Sequence, residues 1–380
     1  MRSLMFLFAM AALLPTTLRA ADLPPGVTQP LVLAPGANNP RNSEGGFVHL
    51  SDGRILFIYT HFTGGTGDAA AAHLASRISS DSGKTWSDKD EIVIPRPADV
   101  QNIMSVSLLR LKDDDAHNNR IALFYLVKKS NEDCRAVMRI STDDAKTWSE
   151  PVLCMPDTGY FVVNNSRAVQ LTSGRILLPA AQHDWKKDKP GSHRGVACAF
   201  YSDDAGATWK RSTSALEAPA GSRSGLQEPL VVELKDKSLL MLCRTDQGTL
   251  FRSTSKDNGD TWAAATSSAD LPSPLSPASL TRIPATGDLV MVWNDHTGID
   301  PKLKGRRTPL TIAISKDEGQ TWTHRKPLYT DPAGWYCYTA ITFTRDGKIL
   351  LGHCAGQQTK GASGLATTVI TAVKIESLYK

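Results

Sequence analysis

From about residue 30 onward the chain alternates short apolar runs with polar turns, and windows with the 3.6-residue period of a helix are almost absent. One form recurs: an apolar run such as FVHL, VSLLRL, AVQL, LVVEL, SLTRI or AITF, then a tight turn, then a second apolar run. The turns are Asp52-Gly53-Arg54, Asn119-Arg120, Ser173-Gly174-Arg175, Asp236-Lys237-Ser238, Thr286-Gly287-Asp288 and Asp346-Gly347-Lys348. Turn residues between two apolar runs predict a β-hairpin at each. A third run follows, as in HLASRIS or LTIAIS.

In phase with the hairpins runs an octet, S-x-D-x-G-x-T-W. It stands at residues 79–86 (SSDSGKTW), 141–148 (STDDAKTW, with Ala145 for Gly), 202–209 (SDDAGATW), 255–262 (SKDNGDTW) and 315–322 (SKDEGQTW). Its tryptophans follow one another at steps of 62, 61, 53 and 60 residues. Ser and Asp side chains can bond their own turn, Gly admits a positive φ, and Trp buries a large ring between neighbouring units. The octet therefore reads as a folding staple that turns a third strand into a fourth. Four strands per unit of about 60 residues, repeated through the chain, predict an all-β fold, a six-bladed β-propeller formed as one domain over residues 21–380. The last unit lacks an octet, so the run near Pro30 to Ala34 is expected to close the ring by pairing with the C-terminal run LATTVITAVKIESL.

Composition changes the picture at the N-terminus. MRSLMFLFAMAALLPTTLRA has one early basic residue, an apolar stretch and small residues at its end, and predicts a signal peptide over residues 1–20, cleaved near Ala20. The mature protein is then expected to be secreted or periplasmic, with no membrane anchor, because no later run approaches about 18 apolar residues. Lys and Arg number 43 against 38 Asp and Glu, scattered rather than clustered, which argues against nucleic acid as a partner. Six cysteines lack zinc-like spacing; outside the cytoplasm they are compatible with up to three disulfides, though several lie in apolar runs where a buried free thiol is the plainer reading. No metal-ligand cluster, phosphate-binding Gly loop or G-x-S-x-G elbow appears, so no cofactor and no metal are expected.

Charged or phenolic residues in apolar strand contexts are the candidates for chemistry. Glu228 precedes the strand PLVVEL; Arg244 follows LLMLC; Arg307 precedes TPLTIAIS; Tyr338 lies in GWYCYTAITF; Arg41 in NPRNSEGGFVHL; Asp68 in GGTGDAAAAHL. Glu44, His61, His183, Asp184, Gln227 and Asn294 are further polar positions suited to a channel mouth.

With the octets and this polar set, the chain resembles the sialidase (neuraminidase) superfamily, specifically exo-α-sialidases with Asp boxes, over about residues 30 to 375. The resemblance implies that Arg41, Arg244 and Arg307 clamp a substrate carboxylate, that Tyr338 paired with Glu228 is the nucleophile, and that Asp68 is the acid/base. Arg306 beside Arg307, and Tyr336 beside Tyr338, are alternatives for two of these roles. The family's R-I-P at the first arginine is replaced here by Arg41-Asn42-Ser43-Glu44; an R-I-P at Arg282 falls in a hairpin strand. The chemistry suits the set. Guanidinium groups bind a carboxylate in a planar, bidentate way, and a neutral phenol avoids the repulsion a carboxylate nucleophile would meet there. Asp68 would need its pKa raised by a partly desolvated loop. The implied activity is retaining hydrolysis of a terminal sialic (nonulosonic) acid, with the acidic end of a glycan as partner. A different anionic sugar, or a non-catalytic carbohydrate-binding propeller, are the competing expectations.

Overall fold

The computed structural model describes residues 23–112, 120–184, 193–358 and 363–380; the leader read at residues 1–20 lies outside them. The described residues are strands and turns with two short 3-10 turns, Pro301–Leu303 and Ile375–Tyr379. None of their helices is long and apolar enough to cross a membrane.

Each hairpin and third strand expected from the apolar pattern forms an antiparallel meander, and the octet leads into a fourth strand. The first comprises Arg41–His49, Ile55–Phe62, Ala72–Ser79 and Glu91–Ile94, hydrogen-bonded in that order. Meanders over residues 227–272 and 279–329 form two further four-stranded sheets. Those over residues 102–153 and 169–211 share one nine-stranded sheet, because the short strand Tyr160–Val162 bridges them. The last sheet takes Gly334–Phe343, Lys348–Gln357 and Thr368–Lys374 from the C-terminal end and Val27–Leu33 from the start of the chain. The expected pairing between the two ends is thus present as an antiparallel ladder of Val27–Leu33 on Thr368–Lys374.

The opening strands of successive meanders touch. Contacts link Gln227–Glu233 to Ser279–Arg282, then to Gly334–Phe343, Arg41–His49 and Asn102–Arg110. From there Ser166 N donates to Val106 O (2.9 Å) and Arg167 N to Ser107 Oγ (2.8 Å), and strand Ile176–His183 packs against Gln227–Glu233 to complete the circuit.

The octets hold their turns as the residue types demand. In residues 202–209, Ser202 Oγ donates to Asp204 Oδ1 (2.7 Å), Gly206 N donates to Ser202 Oγ (2.8 Å) and Thr208 Oγ1 donates to Asp204 Oδ2 (2.5 Å); the other four repeat the scheme. In the second octet Ala145 adopts the same left-handed conformation as the glycines, φ 66°. Each octet tryptophan packs on its own sheet and the one before it: Trp86 with Leu350, Trp262 with Leu177, Trp322 with Leu240. The octets therefore fasten sheets to one another and do not reach the candidate chemistry. All six cysteines are free and buried, and Arg282 is a strand residue ion-paired to Glu318 at 2.7 Å.

Two outcomes follow. The hydroxyl of the octet threonine, with backbone N–H groups, holds Asp81, Asp143, Asp204 and Asp317 down to about 2. A depressed folded pKa stabilises the fold above the unfolded value of about 3.9, and that contribution disappears as pH falls toward about 2. The thermal midpoint should fall steeply between about pH 4 and pH 2, and less steeply in Asp204→Asn; superimposable pH profiles would contradict this role. Deleting residues 21–34 removes the outer strand of the last sheet, leaves Thr368–Lys374 an open edge, and should lower the midpoint at neutral pH; an unchanged midpoint would count against the closure.

Candidate active site

Four opening strands share one irregularity. Arg41–His49, Asn102–Arg110, Gln227–Glu233 and Gly334–Phe343 each slip register against their partner, between Ser43 and Gly46, Met104 and Ser107, Gln227 and Leu230, and Cys337 and Ala340. At the slips stand Glu44, Ser105, Glu228 and Tyr338, with φ of 57°, 63°, 44° and 59°. Each lies six residues ahead of the residue whose N–H closes the hairpin: Leu50, Leu111, Leu234 and Thr344. A β-bulge re-aims a side chain out of the strand's alternation. For a residue other than glycine the left-handed conformation is strained, and such strain gathers at functional sites.

The four re-aimed side chains line one cavity, with Asp68, Asn164, Lys128 and Tyr160 beside them. It encloses about 60 Å³, against roughly 300 Å³ or more for ordinary ligand pockets. Arg41, wholly buried, donates from Nη1 to Asp68 Oδ1 at 2.6 Å and to Thr66 O at 3.0 Å, and from Nη2 to Glu44 Oε2 at 3.3 Å. Asp68 sits on the loop between the second and third strands of the first meander, with its side chain 63% exposed. The desolvated setting expected for Asp68 is therefore absent in this conformation, because the carboxylate faces solvent while gripping Arg41.

Glu44 is the desolvated carboxyl instead. Burial, reinforced by the charges of Asp68 and Glu228, raises it to about 8 against the pull of Arg41. Arg41 stays charged, and its nearer partner is Asp68, which leaves Glu44 only long bonds to Arg41 and Ser43 (3.3 Å each). Burial therefore favours the neutral form of Glu44 more than that of an exposed carboxyl.

Across the cavity, Arg244 donates to Gln227 Oε1 from Nε (3.1 Å) and Nη2 (2.8 Å). Its Nη1 lies 3.1 Å from Glu228 Oε2, close enough for charge attraction but without hydrogen-bond alignment. Arg307, buried, lies 5.4 Å from the Tyr338 ring centre and 5.0 Å from that of Trp335. Burial first, then the negative charge of Glu228, pushes the Tyr338 phenol well above its ordinary range, with Arg307 and Arg244 drawing it back. Arg307 Nε and Nη1, Arg244 Nη1 and Glu228 Oε2 are buried with no hydrogen-bond partner among the described residues.

The fold thus gathers Glu228, Tyr338, Asp68 and Glu44 in one cavity, with Arg41, Arg244 and Arg307 in contact with its walls. Arg306 points elsewhere, toward Gln358 O at 3.5 Å. Tyr336 packs in the core against Tyr329, ring centres 5.0 Å apart. Period-two alternation would put Tyr336 and Tyr338 on one face; they part because the register slips just after Cys337, at Tyr338 itself. Gln227 is engaged through Arg244. His61, His183, Asp184 and Asn294 do not line the cavity. His61 stacks on His73 (4.4 Å) and pairs with Asp90 (3.3 Å), His183 Nδ1 bonds His193 O (2.9 Å), Asn294 donates to Pro309 O (3.0 Å), and Asp184 is exposed.

Ser105, Lys128, Tyr160 and Asn164 were not among the sequence candidates. For Ser105 the usable signal was positional, its distance from the hairpin turn; Lys128 and Tyr160 are a charge and a phenol at the ends of apolar runs, the same mark that singled out the other candidates. Among the described residues no group of three or more His, Cys, Asp or Glu side chains could hold a metal ion.

Comparison with known proteins places this geometry. The BNR repeat-like domain family matches residues 113–351. A sialidase of Bacteroides fragilis (strain YCH46) is 28% identical over 262 residues, which is 66% of this chain and 43% of that protein, so the match spans less than half the relative's length. The structure of Hadza microbial sialidase Hz136 superposes with a TM-score of 0.69 at 19% identity, covering 90% of this chain and 67% of that one. A Dyadobacter fermentans DSM 18053 protein of unknown function superposes with a TM-score of 0.70 at 17% identity, covering 92% of this chain and all of that one. At these identities the superpositions speak for the fold. The match across residues 113–351, which spans more than half of the sequence, shows that the chain belongs to the BNR repeat-like family of the sialidase superfamily.

Proposed function

We propose that the protein is a retaining exo-α-sialidase-like glycoside hydrolase, built as a single six-bladed β-propeller and acting outside the cytoplasm on a terminal nonulosonic acid. The blade count rests on the meanders and on the circuit of opening strands, and the location on the leader-like residues 1–20. The observation that carries this reading is that Tyr338 and Glu228 line one cavity, with Arg244 Nη1 3.1 Å from Glu228 and with buried Arg307 Nε and Nη1 lacking a hydrogen-bond partner among the described residues.

The substrate carboxylate accepts hydrogen bonds from Arg307 Nε and Nη1 and Arg244 Nη1, and its charge competes with Asp68 for Arg41. Displacing Asp68 from Arg41 frees the acid at the moment the substrate arrives. Once parted from Arg41, Asp68 takes a proton from solvent; Tyr338, neutral at rest, then attacks the anomeric carbon as Glu228 takes the phenol proton, while Asp68 gives its own to the leaving glycosidic oxygen. Water, deprotonated by Asp68, then cleaves the tyrosyl glycoside from the face the aglycone left, Glu228 returns its proton to the departing Tyr338 oxygen, and the configuration is retained. One observation favours a second reading, another anionic sugar on the same scaffold. Glu44, a carboxyl whose neutral form burial favours, stands three residues past Arg41, where it would donate a hydrogen bond to a substituent of its own choosing.

On an aryl α-sialoside, Tyr338→Phe should lower kcat/KM by about a thousandfold or more. Asp68→Ala should cost about 10²–10⁴-fold on a natural glycan and far less on a good aryl leaving group, which needs no proton. Turnover untouched by Tyr338→Phe removes the nucleophile assignment. The raised Glu44 pKa has its own signature. Between the unfolded value of about 4.3 and the folded value the native state binds the extra proton, so stability declines as pH rises through that window. Glu44→Gln should flatten the decline from about pH 5 to pH 8 in denaturant titrations; an equal slope in both proteins would show that Glu44 is ionised throughout.

A further inference from the structure

The segment Asn164–Arg167 opens the third meander, and its side chains and backbone reach four others. Ser166 N and Arg167 N bond to Val106 O and Ser107 Oγ of the second meander. Arg167 Nη2 donates to Ala278 O (2.8 Å) beside the fifth, and Ser279 Oγ there donates onward to Thr339 O (2.5 Å). Asn165, wholly buried, donates from one amide nitrogen to two carbonyls, Gly45 O at 2.7 Å and Tyr338 O at 3.0 Å. Those carbonyls belong to the two strained bulges that aim Glu44 and Tyr338 into the cavity. Asn165 also stands six residues ahead of its hairpin-closing residue, Leu171, so it occupies the repeat position held elsewhere by Glu44, Ser105, Glu228 and Tyr338. In this meander the left-handed residue comes one position later, at Ser166. Asn165 is accordingly not one of the re-aimed side chains, and it bonds to the backbone of two bulges in other meanders.

We propose that Asn165 is a positioning residue for the reaction assigned above: it clamps the first and last opening strands together at their bulges and so fixes where Tyr338 and Glu44 point. The inference rests on the sialidase-type reading for its kinetic consequence but not for its structural one. A bulged residue in a strained conformation persists only where its surroundings over-determine it, and the two amide hydrogens of Asn165 supply that constraint from the opposite side of the ring of opening strands. An asparagine is suited to this, because its NH₂ carries two donors on one atom and can bond two converging carbonyls. Removing both bonds frees the bulge to relax, and displacement of a reacting group by about 1 Å costs on the order of 10²-fold in rate.

The test compares Asn165→Ala and Asn165→Asp, the latter isosteric and able to donate at most one proton, with Ser107→Ala, which loosens the same segment from the second meander without touching Tyr338. Two readouts are taken: kinetics on an aryl α-sialoside, and ¹⁹F NMR of protein labelled with 3-fluorotyrosine, with the Tyr338 resonance assigned by its loss in Tyr338→Phe. The Asn165 variants should shift or broaden the Tyr338 resonance and lower kcat by about 10- to 100-fold, with KM changed by less than about threefold. Ser107→Ala should lower the thermal midpoint while keeping the wild-type Tyr338 resonance and kcat. A Tyr338 resonance unchanged in both Asn165 variants overturns the proposal, as does an equal loss of kcat in Ser107→Ala. If the wild type itself turns over no sialoside, the functional reading fails, and the Tyr338 resonance still decides the role of Asn165.

Discussion

A strand in a packed sheet sends alternate side chains to its two faces, which leaves none to point along the strand toward the end of the molecule. The bulges at Glu44, Ser105, Glu228 and Tyr338 break that rule four times at one level of the fold, each with a left-handed residue that is not glycine. The strain of these conformations is of order 1–3 kcal/mol each, and it is held by the sheets around them. Octet turns, buried tryptophans and the pairing of Val27–Leu33 with Thr368–Lys374 make the scaffold stiff enough to keep four such residues facing one cavity.

That division of labour explains what could be read in advance. The meanders and octets were legible because their signals are local and repeated: a turn of fixed chemistry at each hairpin, and Ser, Asp, Gly, Thr and Trp whose hydrogen bonds close within eight residues. Glu228, Arg244, Arg307 and Tyr338 were legible because a charge or phenol amid apolar strand residues has no other evident use. That His61, His183, Asp184 and Asn294 lie off this cavity was not legible, for the complementary reason. A polar residue at a strand end looks the same in sequence whether it faces a cavity or bonds a neighbour, as His61 does with Asp90 and His183 with His193 O. The separation of Tyr336 from Tyr338 was hidden as well, since period-two alternation puts them on one face and only the bulge parts them.

The ionic arrangement adds a dynamic element to a static frame. Arg41 is bonded to Asp68 beside the cavity, and Asp68 lies on an exposed loop; in the proposed reaction, opening the site and freeing the acid are one event. Glu44 is the more distant partner of Arg41, at 3.3 Å against 2.6 Å for Asp68, and burial favours its neutral form. Arg244 is held by Gln227 and by the charge of Glu228, while Arg307 keeps two buried N–H donors without a hydrogen-bond partner among the described residues; the two arginines approach Tyr338 and Glu228 from two different meanders. In the proposed reaction an anionic substrate meets its binding charge and its nucleophile in the same place.

The central claim is that Tyr338 forms a bond to the sugar. Treating the protein with a 3-fluoro sialosyl fluoride, in which the electronegative substituent slows breakdown of the glycosyl intermediate, and mapping the adduct by peptide mass spectrometry addresses it directly. The account predicts a single fluorosugar attached to the peptide containing Tyr338, absent from Tyr338→Phe and increased in Asp68→Ala with time of exposure. Hydrolysis of a sialoside with no adduct at any residue, or an adduct on Glu44 or Glu228, would contradict it.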